Sequence, residues 1–300
     1  MNPRALMPGH RHAVWLQWSK DVLSIFKLRI SFMIMVTALV GMAVSTGASP
    51  GAAKVLILAV CVMLASASSG AFNQYHEYNS DKLMARTRGR AFVTGALPHS
   101  RAWLLLIAAL LTVSVAAAAR WLNPLSAVYI FLGAFFYAVV YTVWLKRKSW
   151  LNIVVGGMSG SFAVLAGAAA VNPDVGALAY LLAAVLFLWT PPHFWSLAIA
   201  GKDEYQAAGV PMLPVVVGID RAADVVLLSA IVLAVTSLLP VFFGAGIVYF
   251  AGAASGCGYF VYKAWLLARA PSRKTAMGAF FASLIQLGLL LVAATVDSFL

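Results

Sequence analysis

Asn73, Glu77 and Asp81 stand four residues apart in the stretch NQYHEYNSDKLMARTRGR (73–90). On a helix that spacing lines up an amide and two carboxylates along one face, each step rising about 6 Å. Such oxygen donors suit a hard divalent cation, and Mg2+ in particular keeps several waters and bridges to substrate phosphates. Arg86 and Arg90 follow, again four apart. Their planar guanidinium groups grip phosphate or carboxylate in bidentate fashion. Together these residues make a Mg2+–diphosphate site. On spacing alone, an ordinary basic connection carrying two acids accounts for the same residues.

A second polar stretch strengthens the first reading. It is WTPPHFWSLAIAGKDEYQAAGVPMLPVVVG (189–218), with Lys202, Asp203 and Glu204 at its centre. Pro191 and Pro192 remove donors from the helical hydrogen-bond ladder and are expected to break it. His193 follows them directly. A histidine at membrane depth is costly and marks function by default, although a satisfied polar residue at a kink reads equally well.

The elements that must position these groups are apolar. The chain is 63% hydrophobic and only 10% charged, against about 25% charged in soluble domains. Its mean hydropathy is +0.91. Apolar segments fall near 29–48, 52–73, 101–121, 125–145, 151–171, 176–199, 223–243, 246–267 and 276–296. Most have the length of about twenty residues that a helix needs to cross the hydrocarbon. The expected fold class is therefore all-α integral membrane, with nine transmembrane helices. A segment over 1–28 precedes a single membrane domain over 29–300.

With the N-terminal side taken as inside, 19 of the 21 Lys and Arg fall on inner connections, leaving only Lys54 and Arg120 outside. That asymmetry predicts a cytoplasmic N-terminus and an outer C-terminus. It also accounts for the net charge of +12 without nucleic acid. The first 28 residues show no cleavable signal pattern. Cys61 and Cys257 both fall in apolar runs, which argues against a disulfide framework or a CxxC metal site.

Three segments resemble a known family. The pattern N-x-x-x-E-x-x-x-D-x-x-M-x-R-T-x-x-R at 73–90 is similar to the first signature of the UbiA-type intramembrane prenyltransferases. Its tail, together with YTVWLKRKSWLNIVVGG (141–157), TPPHFWSLAI and KDEYQAAGVPMLPVV, resembles the protohaem IX farnesyltransferase branch. Glu77 stands where many members have Asp, and Arg90-Ala91 where many have Arg-Pro. Asp203 and Glu204 are followed four residues on by Ala207 and Ala208, so a second D-x-x-x-D is missing, as it is in that branch.

The resemblance implies a UbiA-type bundle in a bacterial inner membrane, with its active site opening to the cytoplasmic side. It implies farnesyl transfer from farnesyl diphosphate to a vinyl group of haem b, with water addition, giving haem O. Asn73, Glu77, Asp81 and Asp203 would hold Mg2+, and whether Asp203 and Glu204 bind a second metal stays open. Arg86, Arg90, Lys146, Arg147 and Lys202 would neutralise the departing diphosphate. Tyr141, and with it Phe72, Tyr75 and Trp144, could stabilise an allylic cation. His193 would ligate the haem, or position Asp203 or a water. Lys82 and Arg88 could meet haem propionates. The lipid bilayer is a partner, and a haem A synthase or a terminal oxidase assembly factor is a candidate one. Two rivals stand against this reading: prenylation of a quinone precursor or chlorophyll-like ring, and transport of an anionic metabolite.

Overall fold

A computed structural model describes residues 8–47 and 50–300. Arg4, one of the expected inner charges, lies outside the described residues. Among those described, all regular structure is helical. The order is α1 (Pro8–Ile25), α2 (Leu28–Ala43), α3 (Ala52–His76), α4 (Tyr78–Asp81), α5 (Ala91–Thr94), α6 (Ala102–Trp121) and α7 (Pro124–Phe135). A π-helix over Phe136–Leu145 extends α7. Then come α8 (Asn152–Gly156), α9 (Met158–Val171), α10 (Ala177–Ala200), α11 (Lys202–Ala207), α12 (Leu213–Val217) and α13 (Ile219–Leu238). After a 3-10 turn over Leu239–Phe243, α14 (Ile247–Arg269) and α15 (Arg273–Asp297) close the chain.

Seven helical segments are long and apolar enough to cross a membrane, and α1 from Trp15 with α2, bent by 48°, makes an eighth. The protein is a multi-pass membrane protein. All nine expected apolar segments are helical, but α14, which carries three tyrosines, Ser255 and Lys263, is not among the eight.

Helix α9 joins two groups of helices, packing on α2 and α7 of one and on α10 of the other. Helices α2, α3, α6 and α7 pack in succession, α10 with α13, α14 and α15 make the other side, and α15 returns to α2. Helix α9 can pack on both because it is built of small residues: 163–170, AVLAGAAA, are all buried. Small residues let helices approach closely where lipid offers no hydrophobic drive. The approach to α2 is backbone against backbone. A Cβ on Gly167 would overlap the Ala38 carbonyl, and one on Gly41 the Val164 carbonyl.

Helix α10 departs from expectation. It runs unbroken through Pro191 and Pro192. The two prolines cost the ladder two N–H donors, but packing against α9, α13 and α15 carries the helix past them.

The loop after α3 rests on its own small core of Ile25, Ala71, Ala91, Phe92, Leu97 and Ile107. His99 stacks between Tyr75 and Tyr78, with ring centroids 4.1 and 4.5 Å away, and its Nε2 lies 2.9 Å from the Tyr75 carbonyl oxygen. This clasp folds the loop back so that its arginines return towards the end of α3.

Candidate active site

The row Asn73–Glu77–Asp81 forms as its spacing predicts. The i→i+4 bonds continue past the end of α3: Glu77 N–H donates to the Asn73 carbonyl at 3.0 Å and Asp81 N–H to the Glu77 carbonyl at 2.9 Å. All three side chains are buried. Each carboxylate has a cation on it. Lys146 Nζ is in direct contact with Glu77 Oε1. Arg90 Nη1 donates to Asp81 Oδ2 at 2.5 Å and stands 3.9 Å from Glu77 Oε2. Thr87 fastens the loop by donating to the Asp81 carbonyl at 3.0 Å.

The π-helix supplies the facing wall. Tyr137 and Lys146 are nine residues apart, which in an α-helix is two and a half turns and opposite faces. The wider i→i+5 turn brings them to one face. Thr142 Oγ1 donates to the Tyr137 carbonyl at 2.8 Å, and Lys146 N–H to the Tyr141 carbonyl at 2.9 Å. Tyr137 and Thr142 thereby stand against Asn73 and its partner Lys27, and Lys146 stands against Glu77. Asn152 ties down the turn that follows, donating from Nδ2 to the Ser149 carbonyl at 2.7 Å.

Between these walls lies a chamber of about 50 Å³, lined by Glu77, Asp81, Arg86, Arg90, Tyr141 and Lys146, with Phe194 and Tyr205 from α10 and α11. Burial pushes the Glu77 carboxyl up, but the Lys146 ammonium on it, then Lys27 and Arg90, outweigh burial and hold it below the usual carboxylate range. Burial likewise pushes the Lys146 ammonium down, only partly offset by Glu77. Burial raises the Tyr205 phenol.

Other expected site residues lie elsewhere. Asn73 sits behind the chamber, with Oδ1 on Lys27. Asp203 and Arg147 are exposed, Lys202 is half-buried, and none of the three lines the chamber. Among the described residues no three His, Cys, Asp or Glu side chains gather into a metal-binding group. His193 is buried in the bundle: Nδ1 is 2.7 Å from Ser283 Oγ, and the ring stacks between Trp189 and Phe280 at 4.1 and 4.6 Å. Of the aromatic candidates only Tyr141 reaches the chamber. Phe72 and Tyr75 pack under the loop, and Trp144 is exposed against Phe135. Lys82 and Arg88 are exposed.

Two buried carboxylates of α3 and its extension, each under a cation, thus lie at one end of the helical bundle. The sequence model of the UbiA prenyltransferase family matches residues 34–285. The chain belongs to the UbiA prenyltransferase family. Among UbiA-related proteins it is 51% identical to protoheme IX farnesyltransferase 2 of Paramagnetospirillum magneticum over 94% of this chain and 98% of that one. It is 44% identical to protoheme IX farnesyltransferase 1 of the same organism, over 93% and 98%. A solved digeranylgeranylglyceryl phosphate synthase superposes with a TM-score of 0.78 at 17% identity, covering 94% of this chain and 99% of that one. A UbiA homologue from Archaeoglobus fulgidus bound to DMAPP and Mg2+ superposes with a TM-score of 0.71 at 14% identity, over 89% and 98%. At these identities the likeness to the two solved structures is one of fold.

The site also contains residues that were not anticipated as site residues: Lys27, Tyr137, Thr142, Asn152 and Tyr205. Tyr205 stands directly after Asp203 and Glu204 in the sequence. Asn152 is a lone amide at the start of an apolar span, which is itself a signal. Tyr137 and Thr142 are hidden by the π turn, which shifts them off the face that α-helical counting assigns.

Proposed function

We propose that the protein transfers the farnesyl group of farnesyl diphosphate to a vinyl group of haem b, with addition of water, giving haem O and diphosphate for haem-copper oxidases. The observation that carries the reading is the buried pair Glu77 and Asp81, each matched by a cation, in a chain 51% identical to a protein named protoheme IX farnesyltransferase 2. The donors in the chamber fit a hard divalent ion, because two buried carboxylates offer oxygen alone. Glu77 and Asp81 would hold Mg2+, with Asp203 brought in from α11. Bound there, the ion supplies Lewis-acid stabilisation of the diphosphate.

The protein's own residues do the remaining work. Lys146 and Arg90, released from the carboxylates, take the charge of the leaving diphosphate, and Arg86 at the mouth joins them. The bond between farnesyl C1 and oxygen breaks, and its electron pair leaves with the diphosphate. The vinyl π electrons form the new bond to C1. Water adds to the carbon beside the porphyrin and loses a proton to the diphosphate or solvent. Tyr141 faces the allylic cation and stabilises it through its ring. Tyr141, Phe194 and Met212 keep water out until the carbon–carbon bond has formed. The farnesyl tail lies among the transmembrane helices, of which we count nine with α14 included. The chamber and the N-terminus face the cytoplasmic side of the inner membrane and the C-terminus the outside, a reading that the basic connections support.

The test is a product assay. Purified protein with haem b, farnesyl diphosphate and Mg2+ should yield haem O by mass spectrometry, and Asp81→Ala or EDTA should abolish it. Prenylation of a phenolic acid instead of haem would overturn the acceptor.

A further inference from the structure

Lys27 lies between α1 and α2. Among the described residues it is the one non-glycine with positive φ, at φ 48° and ψ 45°. That left-handed conformation is costly for a residue with a side chain and is retained where the surroundings impose it. Here it makes the 48° break in the first span and sends the side chain across Gly70, whose Cβ position is 3.5 Å from Lys27 Cβ and Cδ. The ammonium ends 2.5 Å from Asn73 Oδ1 and 3.1 Å from the Tyr137 hydroxyl. Among the described residues the ion pairs at the site use Lys146 and Arg90, and Lys27 has no carboxylate within 4.0 Å. A half-buried ammonium is thus spent on a neutral amide.

The hydrogen bonds fix which way that amide faces. The Thr142 hydroxyl donates to the Tyr137 carbonyl, so towards Asn73 its oxygen can only accept. Asn73 Nδ2 fills that role at 3.0 Å. The amide oxygen must then face Lys27. Both ends of the carboxamide are engaged, its oxygen by the Lys27 amine and its nitrogen by Thr142.

We propose that Lys27 is a positioning residue that keeps Asn73 out of the metal's ligand set and offers its amine as a further basic group for the diphosphate. In this chain the metal is held by carboxylates alone, and Asn73 serves as the anchor of a lysine. Lys27 therefore opposes the binding of a cation and favours the binding of an anion at the same site. The inference rests on the metal–diphosphate reading above.

Opposite signs make it testable with the full-length protein in detergent, using Mn2+ followed by electron paramagnetic resonance and inorganic diphosphate followed by calorimetry with Mg2+ present. Lys27→Met should tighten Mn2+ about tenfold, through the Asn73 oxygen it frees, and weaken diphosphate about tenfold, through the basic group it removes. Lys27→Arg keeps the charge and should match the wild type in both. Asn73→Ala should leave the Mn2+ affinity within about threefold, a change of under 1 kcal/mol. In the Lys27→Met background, the same substitution should cancel the gain, because the freed amide oxygen is what joins the metal.

Weaker or unchanged Mn2+ binding in Lys27→Met overturns the proposal. So does a loss of about tenfold or more in Asn73→Ala alone, which decides the matter even where Lys27→Met fails to fold. Wild-type protein that takes up neither Mn2+ nor diphosphate overturns the metal–diphosphate reading together with this one. Uptake of both, with Lys27→Met indistinguishable from wild type, overturns the role of Lys27 alone.

Discussion

Lys146→Met separates the two tasks assigned to that lysine. In the free protein Lys146 neutralises Glu77, whose side chain is 5% exposed against 17% for Lys146 itself. Removing one partner of a fully buried pair costs about 3–5 kcal/mol. Lys146 is partly solvated and Arg90 remains 3.9 Å from the other Glu77 oxygen, so a loss of about 2 kcal/mol is expected here. The same substitution removes a cation from the departing diphosphate. Loss of one such group costs about 10²–10³-fold in kcat.

The pH dependence carries the sharper sign. Lys146 helps to hold the Glu77 carboxyl below its ordinary range. A depressed carboxylate is available above its folded pKa and lost as pH falls through it. Without Lys146 the burial of Glu77 is less well opposed, so the acidic limb of the rate profile moves to higher pH. The assay is haem O formation by mass spectrometry from pH 5 to 8, with thermal unfolding alongside. An unmoved acidic limb, or a rate within about threefold of wild type, would refute the assignment of Lys146 to both partners.

Other substitutions probe the scaffold. Gly167→Ala sets a methyl against the Ala38 carbonyl and should cost about 3 kcal/mol, whereas Gly160→Ala, with nothing within 4 Å of its Cβ position, should stay within about 0.5 kcal/mol; thermal unfolding in detergent reads both. Gly156→Ala sets its Cβ 2.9 Å from Tyr141 Cδ2 and must displace that ring, so kcat should fall about 10–100-fold while the fold survives. His193→Ala loses the Ser283 bond and empties the slot between Trp189 and Phe280, so about 2–3 kcal/mol of stability should go while the spectrum of added haem b stays as in wild type. A displaced haem band in that variant would put His193 on the haem.

The acid row was legible because its period is that of a helix and because each i→i+4 bond forms. The spans were legible because a bilayer demands long apolar helices. What escaped did so for identifiable reasons. Lys146 belonged to a quoted motif, but its partner could not be named, since contact with Glu77 depends on a π turn that α-helical counting misses. Lys27 read as one more inner charge, because nothing in the local sequence announces a left-handed residue before a span. His193 read equally as a functional residue and as a satisfied one at a kink, because its partner, a serine on α15, is ninety residues away. Asp203 matched a motif, and its side chain faces outward on α11. Pattern thus located the carboxylates, whereas their counter-charges come from elements far apart in the chain.

That division bears on how the site is filled. Two carboxylates, Glu77 and Asp81, are surrounded by Lys27, Lys146, Arg86 and Arg90, an excess of positive charge. A divalent cation arriving alone meets carboxylates already paired and cations that repel it. A diphosphate arriving alone meets cations already engaged. Together they exchange partners, the metal taking the carboxylates and the diphosphate taking the lysines and arginines. Both ion pairs line the 50 Å³ chamber, so their separation should make room for the metal and the diphosphate. Binding of the two should therefore be coupled by about 1–3 kcal/mol, the usual range for linked sites. Calorimetry of inorganic diphosphate with and without saturating Mg2+ measures the coupling directly. It should shrink in Lys146→Met and in Arg90→Met, where one pair no longer has to be broken. Equal diphosphate affinity with and without Mg2+ would mean that the ion pairs are bystanders, and that the carboxylates hold something other than a metal.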